Sequence, residues 1–322
     1  MAILTMVIFV SNARDNQKEF FGMWTIEIED GSVGWLNVND SEGFLDAELL
    51  WKGGSVLPVS HVYFMDENTL VVTRTREMQK AEERTQVVTE LFEFTRDGDK
   101  LEGVSISPSP DGMSARKQKF IGWRLPDPGE APDLSKVKYG EPVMLFNGKN
   151  LDGWELMDKG RENGFKVVDG VLVNDPVQEG GKRVAYGNLR TVKEFNDFKL
   201  SLEVNVPAHS NSGVYLRGMY EIQVLDSYGS ELDSHNMGGL YSRIAPSQSA
   251  EKPAGEWQTM EMILCKRHVT VILNGKTIID NQPVYGPTGG AIIADVFKPG
   301  PIYLQGDHGK VSYRNIVLTP IL

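Results

Sequence analysis

Residues 211–226, NSGVYLRGMYEIQVLD, carry the side chains of this sequence that are best suited to acid–base chemistry. The stretch predicts two β-strands joined by a tight turn at Gly218, and successive side chains of a strand point to opposite faces. If the aliphatic positions fill a core, the other face carries an arginine, a phenol, two amides and a carboxylate: Asn211, Tyr215, Arg217, Glu221 and Gln223. A β-bulge near Leu225 would bring Asp226 onto that polar face as well.

The simplest interpretation of Arg217 and Glu221 is a cross-strand salt bridge on a solvated face, where such a pair contributes little to stability. The two amides, the phenol of Tyr215 and the carboxylate of Asp226 favour a binding or catalytic surface instead. The residues alone leave these two interpretations evenly balanced.

The whole chain has the composition of an acidic globular protein with room for two domains. It has 322 residues and a formal net charge of −11, which argues against nucleic acid or an anionic membrane surface as a partner. Cys265 is the single cysteine and forms no intrachain disulfide, and none of the five histidines stands at zinc-ligand spacing to another. We expect no cofactor.

The first thirteen residues, MAILTMVIFVSNA, predict the remnant of a signal peptide. The apolar run from Ala2 to Val10 is too short to span a bilayer. Ser11-Asn12-Ala13 is typical of a cleavage site, although the positive leading region is missing. We therefore expect a secreted or periplasmic protein, with an opening β-strand of a cytoplasmic protein as the alternative. No later segment has the length and apolarity of a membrane helix.

Residues 20–125 predict a small antiparallel β-barrel. Eight short alternating runs follow one another with hairpin-length links, a pattern typical of up-and-down barrels. Gly22-Met23-Trp24 resembles the Gly-x-Trp of lipocalin-like barrels, in which the Trp lies under a late arginine, here Arg116 or Arg124. We expect this domain to be an accessory to the second one. The charged run KAEER, residues 80–84, predicts a solvated loop.

Residues 126–142, rich in proline, predict a linker, because proline denies the chain both helix and sheet hydrogen bonds. Residues 143–322 return to β patterns with longer strands. Asn274-Gly275 between two β-rich runs is a strong signal for a type I′ hairpin. About a dozen strands without long helices indicate a sandwich of two sheets.

Seven blocks of this second domain resemble the 3-keto-disaccharide hydrolase family, formerly a domain of unknown function. The blocks follow the order of the family: LFNGKNLDGW, NSGVYLRG, YEIQVLDS, GGLY, PAGEW, LNGK and GPIYLQGDHGKVSYRNI. The resemblance implies a concanavalin-A-like jelly roll whose concave sheet binds sugar. It also implies cleavage of disaccharides or glycosides that an upstream sugar 3-dehydrogenase has oxidised at the 3-hydroxyl.

Glucanases of the laminarinase and lichenase type share the implied fold, and they carry acids on one strand in the pattern Glu-x-Asp-x-x-Glu. The comparable strand here reads Glu221-x-Gln223-x-x-Asp226. An amide replaces the middle acid, which puts ordinary double-displacement hydrolysis in doubt. A 3-keto sugar offers another route, because its carbonyl acidifies the hydrogen on C2 and allows elimination followed by addition of water.

The spacing of the residues suggests roles in that route. Glu221 would be the base or the acid and Asp226 its partner, while Arg217 with Asn211 or Gln223 would stabilise the enolate oxygen. The remaining candidates would bind substrate: Tyr215 and Tyr241 by stacking, and Gln305 and His308 from a neighbouring strand. Burial of the two tyrosines in the core, and a turn position for His308, are the alternatives.

A carbohydrate-binding module without catalysis is the rival function. Such a module needs aromatic and amide groups but has little need of paired acids, so Glu221 with Asp226 favours an enzyme. Asp226, Asp295 and Asp307 could help to ligate Ca²⁺, but they do not stand at the spacing of a calcium loop.

Overall fold

The computed structural model describes residues 16–81, 84–178 and 184–322. The predicted signal segment, residues 1–13, lies outside them. The chain divides into two compact units, one ending at Pro126 and the other beginning at Asp127. Antiparallel strands build both units, which confirms the all-β fold class. Among the described residues, no helix has the length and apolarity needed to cross a bilayer.

The first unit is one antiparallel sheet of nine strands that curls into a barrel-like shape. The strands are β1 (Gly22–Ile28), β2 (Val33–Ser41), β3 (Phe44–Trp51), β4 (Leu57–Pro58), β5 (His61–Phe64), β6 (Thr69–Ala81), β7 (Arg84–Asp97), β8 (Lys100–Pro108) and β9 (Ala115–Arg124). Their order in the sheet is β4-β3-β2-β1-β9-β8-β7-β6-β5, and β3 also contacts β5. A single hydrophobic cluster with residues from eight of the strands fills the interior.

Two details of this unit differ from the sequence prediction. The run SVLPVSHVYF forms two short strands, β4 and β5, because Pro58 has no N–H to continue a ladder. The KAEER segment is not all loop, since the backbone of β6 reaches Ala81 and pairs there with Arg84 of β7. Residues 82–83 lie outside the described part of the chain.

One end of the barrel is closed by Trp24. Its indole donates a hydrogen bond to the carbonyl of Phe20 at 2.7 Å, and the guanidinium of Arg124 lies 4.2 Å from its ring centroid. Arg124 therefore occupies the position expected of a late arginine, while Arg116 lies beside Asp30 at 3.7 Å. The resemblance to lipocalins stays a prediction.

The second unit is the jelly-roll sandwich, built from two antiparallel sheets. Its strands are β10 (Val143–Met144), β11 (Trp154–Leu156), β12 (Phe165–Val168), β13 (Val171–Asn174), β14 (Leu189–Thr191), β15 (Phe198–Asn205), β16 (Asn211–Leu216), β17 (Tyr220–Leu225), β18 (Trp257–Cys265), β19 (His268–Leu273), β20 (Lys276–Pro283), β21 (Tyr303–Leu304) and β22 (Val311–Pro320). One sheet has the order β12-β13-β22-β15-β18-β19-β20, with β10 beside β22. The other has the order β11-β14-β21-β16-β17.

The core of the sandwich lies between these sheets. Val214 and Leu216 of β16 and Ile222 and Val224 of β17 are fully buried, as the alternation predicts. The hydroxyl of Ser212 lies 3.0 Å from that of Tyr313 on the other sheet, which fixes the inner face of β16. The side chains of alternate positions therefore point away from the core.

Two local features of the sandwich bear on the sequence predictions, one hairpin turn and the end of the predicted linker. Asn274 and Gly275 both have positive φ (50° and 77°) between Leu273 and Lys276, as a type I′ turn requires, which confirms that hairpin. The last residues of the predicted linker do not behave as a linker, because Tyr139 bridges Ile321 and Gly140 donates to the carbonyl of Pro320.

Candidate active site

The β16–β17 hairpin places its polar side chains on the outer face of the five-stranded sheet. In its register Tyr215 lies opposite Glu221, and Gly213 lies opposite Gln223. Although they point away from the core, Tyr215, Glu221 and Gln223 are each only 2–3% exposed. The polar face is thus buried at these three positions rather than a solvated surface.

A later segment packs on the hairpin and contributes to this burial. The hydroxyl of Thr288 accepts a hydrogen bond from the backbone N–H of Glu221 at 2.8 Å and donates to the carbonyl of Met219 at 3.1 Å. Ile292 donates its N–H to the carbonyl of Gly218 at 2.9 Å. The segment that contains Thr288 and Ile292 is therefore bonded to the backbone of the hairpin beside Glu221.

Gly213 makes the space in which the Glu221 carboxyl group lies. A Cβ atom at this position would overlap Oε1 of Glu221 and lie 2.9 Å from its Cδ. The φ angle of Gly213 is not positive, so the backbone itself does not require glycine here. Glycine is needed because any side chain at this position would occupy the space of the Glu221 carboxyl group.

Tyr215 holds the other oxygen of that carboxyl group. Its hydroxyl lies 2.7 Å from Oε2 of Glu221 and 2.8 Å from the carbonyl oxygen of Gly289. A phenol has one hydrogen to donate, so the two contacts cannot both be donations. Tyr215 donates to Glu221 when the carboxylate is ionised, and it can donate to the carbonyl of Gly289 instead when Glu221 is protonated.

A second tyrosine supports the first. The rings of Tyr215 and Tyr303 stack with centroids 3.8 Å apart and planes 14° apart, and the Tyr303 hydroxyl donates to the carbonyl of Gly290 at 2.7 Å. Burial raises the pKa of both phenols well above the usual value. Both hydroxyls are therefore neutral hydrogen-bond groups at physiological pH, and the ring of Tyr215 packs on protein.

The pKa of Glu221 is raised to about 7. Burial is the main cause, because it penalises the charged form, and the nearby charge of Asp307 acts in the same direction. The hydrogen bond from Tyr215 and the charge of His308 oppose the rise. Near neutral pH both protonation states of Glu221 are populated, as suits a group that takes up and returns a proton.

His308 and Asp307 form a pair at the open side of the site. His308 Nδ1 lies 2.7 Å from Oδ1 of Asp307, and the imidazole is 45% exposed. Burial acts to raise the pKa of Asp307, but the hydrogen bond and charge of His308, together with Arg161 at 3.9 Å, outweigh it and lower the pKa. Asp307 therefore carries its negative charge beside the His308 ring.

Two amide oxygens of the polar face stand without a hydrogen-bond partner among the described residues. They are Oδ1 of Asn211 and Oε1 of Gln223, and both are buried. Buried acceptors of this kind are costly to leave unpaired.

Arg217 is not part of this group, which corrects the expected pairing with Glu221. It lies in the hairpin turn with φ of 56°, and Gly218 follows with φ of 64°. Its guanidinium is buried and donates to the carbonyls of Val296 (2.6 Å) and Lys298 (2.7 Å), with Asp197 at 3.8 Å. The turn directs this side chain away from the face on which strand alternation would place it.

Asp226 is also separate from Glu221 in the structure. The register between β16 and β17 runs without a shift, so the bulge expected near Leu225 is absent from this ladder. The Asp226 carboxylate accepts a hydrogen bond from the backbone N–H of His209 at 2.9 Å, and its charge acts on Glu251. An acid pair of Glu221 and Asp226 is therefore not formed.

Tyr241 and Gln305 border the hairpin through their backbones. The N–H of Tyr241 donates to the carbonyl of Glu221 at 3.0 Å, and its ring meets that of His235 edge-on at 4.9 Å. Gln305 donates its N–H to the carbonyl of Gly213 at 2.9 Å. Both residues flank the site, and both side chains are half-buried.

Comparison with known families decides the relationship of the second unit. Residues 141–319, which make up more than half of the chain, match the family of the 3-keto-alpha-glucoside-1,2-lyase-like domain. The chain belongs to this family. No curated protein matches it.

Solved structures similar to the chain include two candidate glycosyl hydrolases from Parabacteroides distasonis. One is 30% identical, with 59% of this chain and 92% of that chain covered and a TM-score of 0.45. The other is 22% identical, with 55% and 92% covered and a TM-score of 0.43. A non-specific endo-β-1,3(4)-glucanase, SCLam, is 12% identical, with 61% and 95% covered and a TM-score of 0.37.

The described residues of the lyase-like domain hold no preformed metal cluster. Within residues 16–81, 84–178 and 184–322, no three His, Cys, Asp or Glu side chains are grouped to hold an ion. Of the aspartates considered for Ca²⁺, Asp226 bonds the backbone of His209, Asp307 bonds His308, and Asp295 lies 3.9 Å from Lys298.

Three residues of the candidate site were not predicted from the sequence, Gly213, Thr288 and Tyr303, and Asp307 was considered only as a Ca²⁺ ligand. Tyr303 stands two residues before Gln305 in a β pattern, so the alternation that singled out Gln305 could have found it. Asp307 is next to His308 in the same block. Thr288 gave no signal, because it lies in a loop distant in sequence from the hairpin.

Proposed function

We propose that the second unit cleaves the glycosidic bond of glycosides that carry a ketone at C3, with Glu221 as the proton-transfer group. One observation carries the proposal: a buried carboxyl group with a pKa near 7, held by a phenol, on a strand face that also carries buried amide oxygens without partners among the described residues. The name of the family, with its 3-keto glucoside and lyase chemistry, supports the choice of substrate.

In the proposed reaction, ionised Glu221 removes the proton from C2 of the keto sugar. The electrons of that bond form the enolate, and the enolate then expels the oxygen on C1, so that the glycosidic bond breaks. Water adds to C1 and C2 regains a proton, which gives net hydrolysis. Tyr215 stabilises the ionised form of Glu221 by donating its hydrogen, and it releases that contact when Glu221 takes the proton.

The other groups have supporting roles in this proposal. His308, which is 45% exposed, serves as the acid that donates a proton to the departing oxygen. The amides of Asn211 and Gln223 bind sugar hydroxyls, and Gln305 and Tyr241 border the sugar. Arg217 acts through the fold rather than on the substrate, because its guanidinium is bonded to backbone carbonyls.

Elimination fits the strand better than double displacement does. A retaining glycosidase needs two carboxyl groups about 5–5.5 Å apart across the scissile bond. On β17 the position after next from Glu221 is Gln223, and Asp226 is turned toward His209. The strand therefore offers one carboxylate to the site. We further propose that a sugar 3-dehydrogenase supplies the substrate, in the periplasm or outside the cell.

The test is to incubate the protein with 3-keto-trehalose, 3-keto-sucrose and their unoxidised parents, and to measure free sugar. We expect release from the keto sugars alone, with solvent deuterium appearing at C2 of the product. Glu221→Gln should lower turnover by roughly 10²–10⁴, the contribution of a positioned proton-transfer group. Release from the unoxidised parents would contradict the route through C2. Binding without release from any sugar would favour a carbohydrate-binding module.

A further inference from the structure

The barrel of the first unit is polar at the end opposite Trp24. Side chains that face inward repeat at every second residue of a strand, and they change in character along four neighbouring strands. From the Trp24 end, the inward positions are Leu70, Val72, Arg74 and Arg76 on β6, and Phe94, Phe92 and Glu90 on β7. On β8 they include Leu101, Ser105 and Ser107, and on β9 they are Phe120, Gln118 and Arg116. Only the first part of each series belongs to the hydrophobic core.

A cavity of about 570 Å³ opens at this polar end. Three cations line it, Lys52, Arg76 and Arg116, with Trp51, Gln118 and Glu90, and the serines and prolines of the turn between β8 and β9 complete the wall. Its volume lies in the range of small-molecule sites, about 300–1,000 Å³. All of these residues belong to the first unit, so the cavity is separate from the site on β16 and β17.

The carboxylates near this cavity are already engaged. Asp30 accepts from Lys52 and from Gln118 at 3.0 Å, and these contacts, with that of Lys52 the largest, lower its pKa. Glu90 lies 3.5 Å from Arg74 and accepts from the Ser107 hydroxyl at 3.1 Å.

Two guanidinium groups remain incompletely paired there. Arg76 forms no ion pair in the part of the chain that the structure describes. The buried Nε of Arg74 has no hydrogen-bond partner among the described residues. In a chain of net charge −11, this concentration of cations creates a local positive potential that attracts an anion.

We propose that this cavity binds a small hydroxylated carboxylate, that is, an acidic sugar of mono- or disaccharide size. Arg76 and Arg116 offer planar donors that match a carboxylate in two-point contact. The serines and Gln118 offer neutral hydrogen bonds to hydroxyls. Trp51 packs edge-on against Phe92 and Phe120 and presents apolar surface to the cavity, as a sugar ring requires.

The experiment is calorimetric titration of the full chain at low salt with D-glucuronate, D-glucose, acetate and inorganic phosphate. We expect D-glucuronate to bind at least about tenfold more tightly than the other three. Arg76→Gln and Arg116→Gln should each weaken its binding by about tenfold or more, the effect of losing a charge-assisted hydrogen bond. Both side chains are exposed at the mouth, so these changes leave the core intact.

Two control variants locate the binding. Lys117→Gln removes the same charge from the next residue of β9, which is exposed and does not line the cavity, and it should leave D-glucuronate affinity unchanged. Glu221→Gln should also leave it unchanged, which separates this proposal from the one for the second unit. The proposal is overturned if D-glucuronate does not bind, if phosphate or acetate binds equally well, or if the Arg76 and Arg116 variants match Lys117→Gln.

Discussion

At the scale of single residues, Glu221 is an ionisable side chain in a buried position, and burial disfavours its charged form. It is almost fully buried, and it contacts neutral hydrogen-bond groups rather than a cation. Its pKa therefore rises from about 4.5 to about 7 on folding. The folded protein keeps a proton on Glu221 through a range of pH in which the unfolded chain releases it.

This difference makes stability depend on pH. As pH rises from 4.5 to 7, Glu221 ionises in the unfolded chain but stays largely protonated in the folded protein. The free energy of unfolding therefore falls over this range, by about 3 kcal/mol in total. Glu221→Gln is neutral at every pH and escapes this loss. We expect the variant to gain about 3 kcal/mol relative to the natural protein between pH 4 and pH 8, measured by urea unfolding.

Glu256→Gln is the matched control for that measurement, because Glu256 is exposed in the same unit. Its stability relative to the natural protein should change little over the same pH range. A stability difference for Glu221→Gln that stays constant, or falls, with rising pH would show that Glu221 is ionised at no cost in the folded protein.

At the scale of the element, the β16–β17 hairpin fixes which side chains meet. Three residues, Arg217-Gly218-Met219, connect the two strands; Arg217 and Gly218 both have positive φ, and Met219 donates its N–H to the carbonyl of Leu216 at 3.1 Å. That turn sets the register in which Tyr215 lies opposite Glu221. A shift of one residue would move these side chains to the other face of the sheet.

Gly213→Ala tests how the hairpin accommodates the carboxyl group. The added methyl group would overlap Oε1 of Glu221 and displace it from Tyr215. We expect turnover on 3-keto-trehalose to fall at least about tenfold, since a misplacement of about 1 Å can cost 10²-fold. Far-ultraviolet circular dichroism should remain that of the natural protein.

Gly140→Ala is the comparison variant for that glycine. A Cβ there would lie 3.4 Å from the side chain of Leu322 and 3.7 Å from the carbonyl oxygen of Pro320, both ordinary van der Waals contacts, and the φ angle is not positive. Turnover should be unchanged. Equal activity in both variants would mean that the carboxyl group can lie elsewhere without loss of function.

At the scale of the whole molecule, each unit has a hydrophobic core of its own. The first core lies inside the barrel, and the second lies between the two sheets. The segment from Asp127 onward belongs to the second unit, and residues 139–140 pair with the end of the chain, at Ile321 and Pro320.

Truncation should follow that boundary rather than the end of the proline-rich segment. A chain of residues 127–322 is expected to fold and to keep measurable cleavage of 3-keto sugars. A chain of residues 143–322 loses the pairing of Tyr139 and Gly140 and should melt at a lower temperature. Differential scanning calorimetry of the two proteins measures the difference. An insoluble or inactive 127–322 chain would show that the first unit is needed for the second.

The sequence by itself determined the features that depend on local periodicity. Alternation along residues 211–225 divides core from polar face, and the structure agrees for Tyr215, Glu221 and Gln223 because a strand has a period of two wherever it lies. Asn274-Gly275 likewise determined its hairpin, since few residues accept positive φ twice in succession. The family blocks identified the second unit without reference to its packing.

Only the tertiary structure decided where the charged side chains point and how strongly they hold protons. Arg217 follows the twist of its turn to the carbonyls of Val296 and Lys298, and Asp226 is directed to the backbone of His209. The pKa of Glu221 reflects its burial, and Thr288, some 70 residues later in the chain, packs on the backbone of Glu221. Burial depends on contacts between distant segments, and the alternation of one strand carries no information about them.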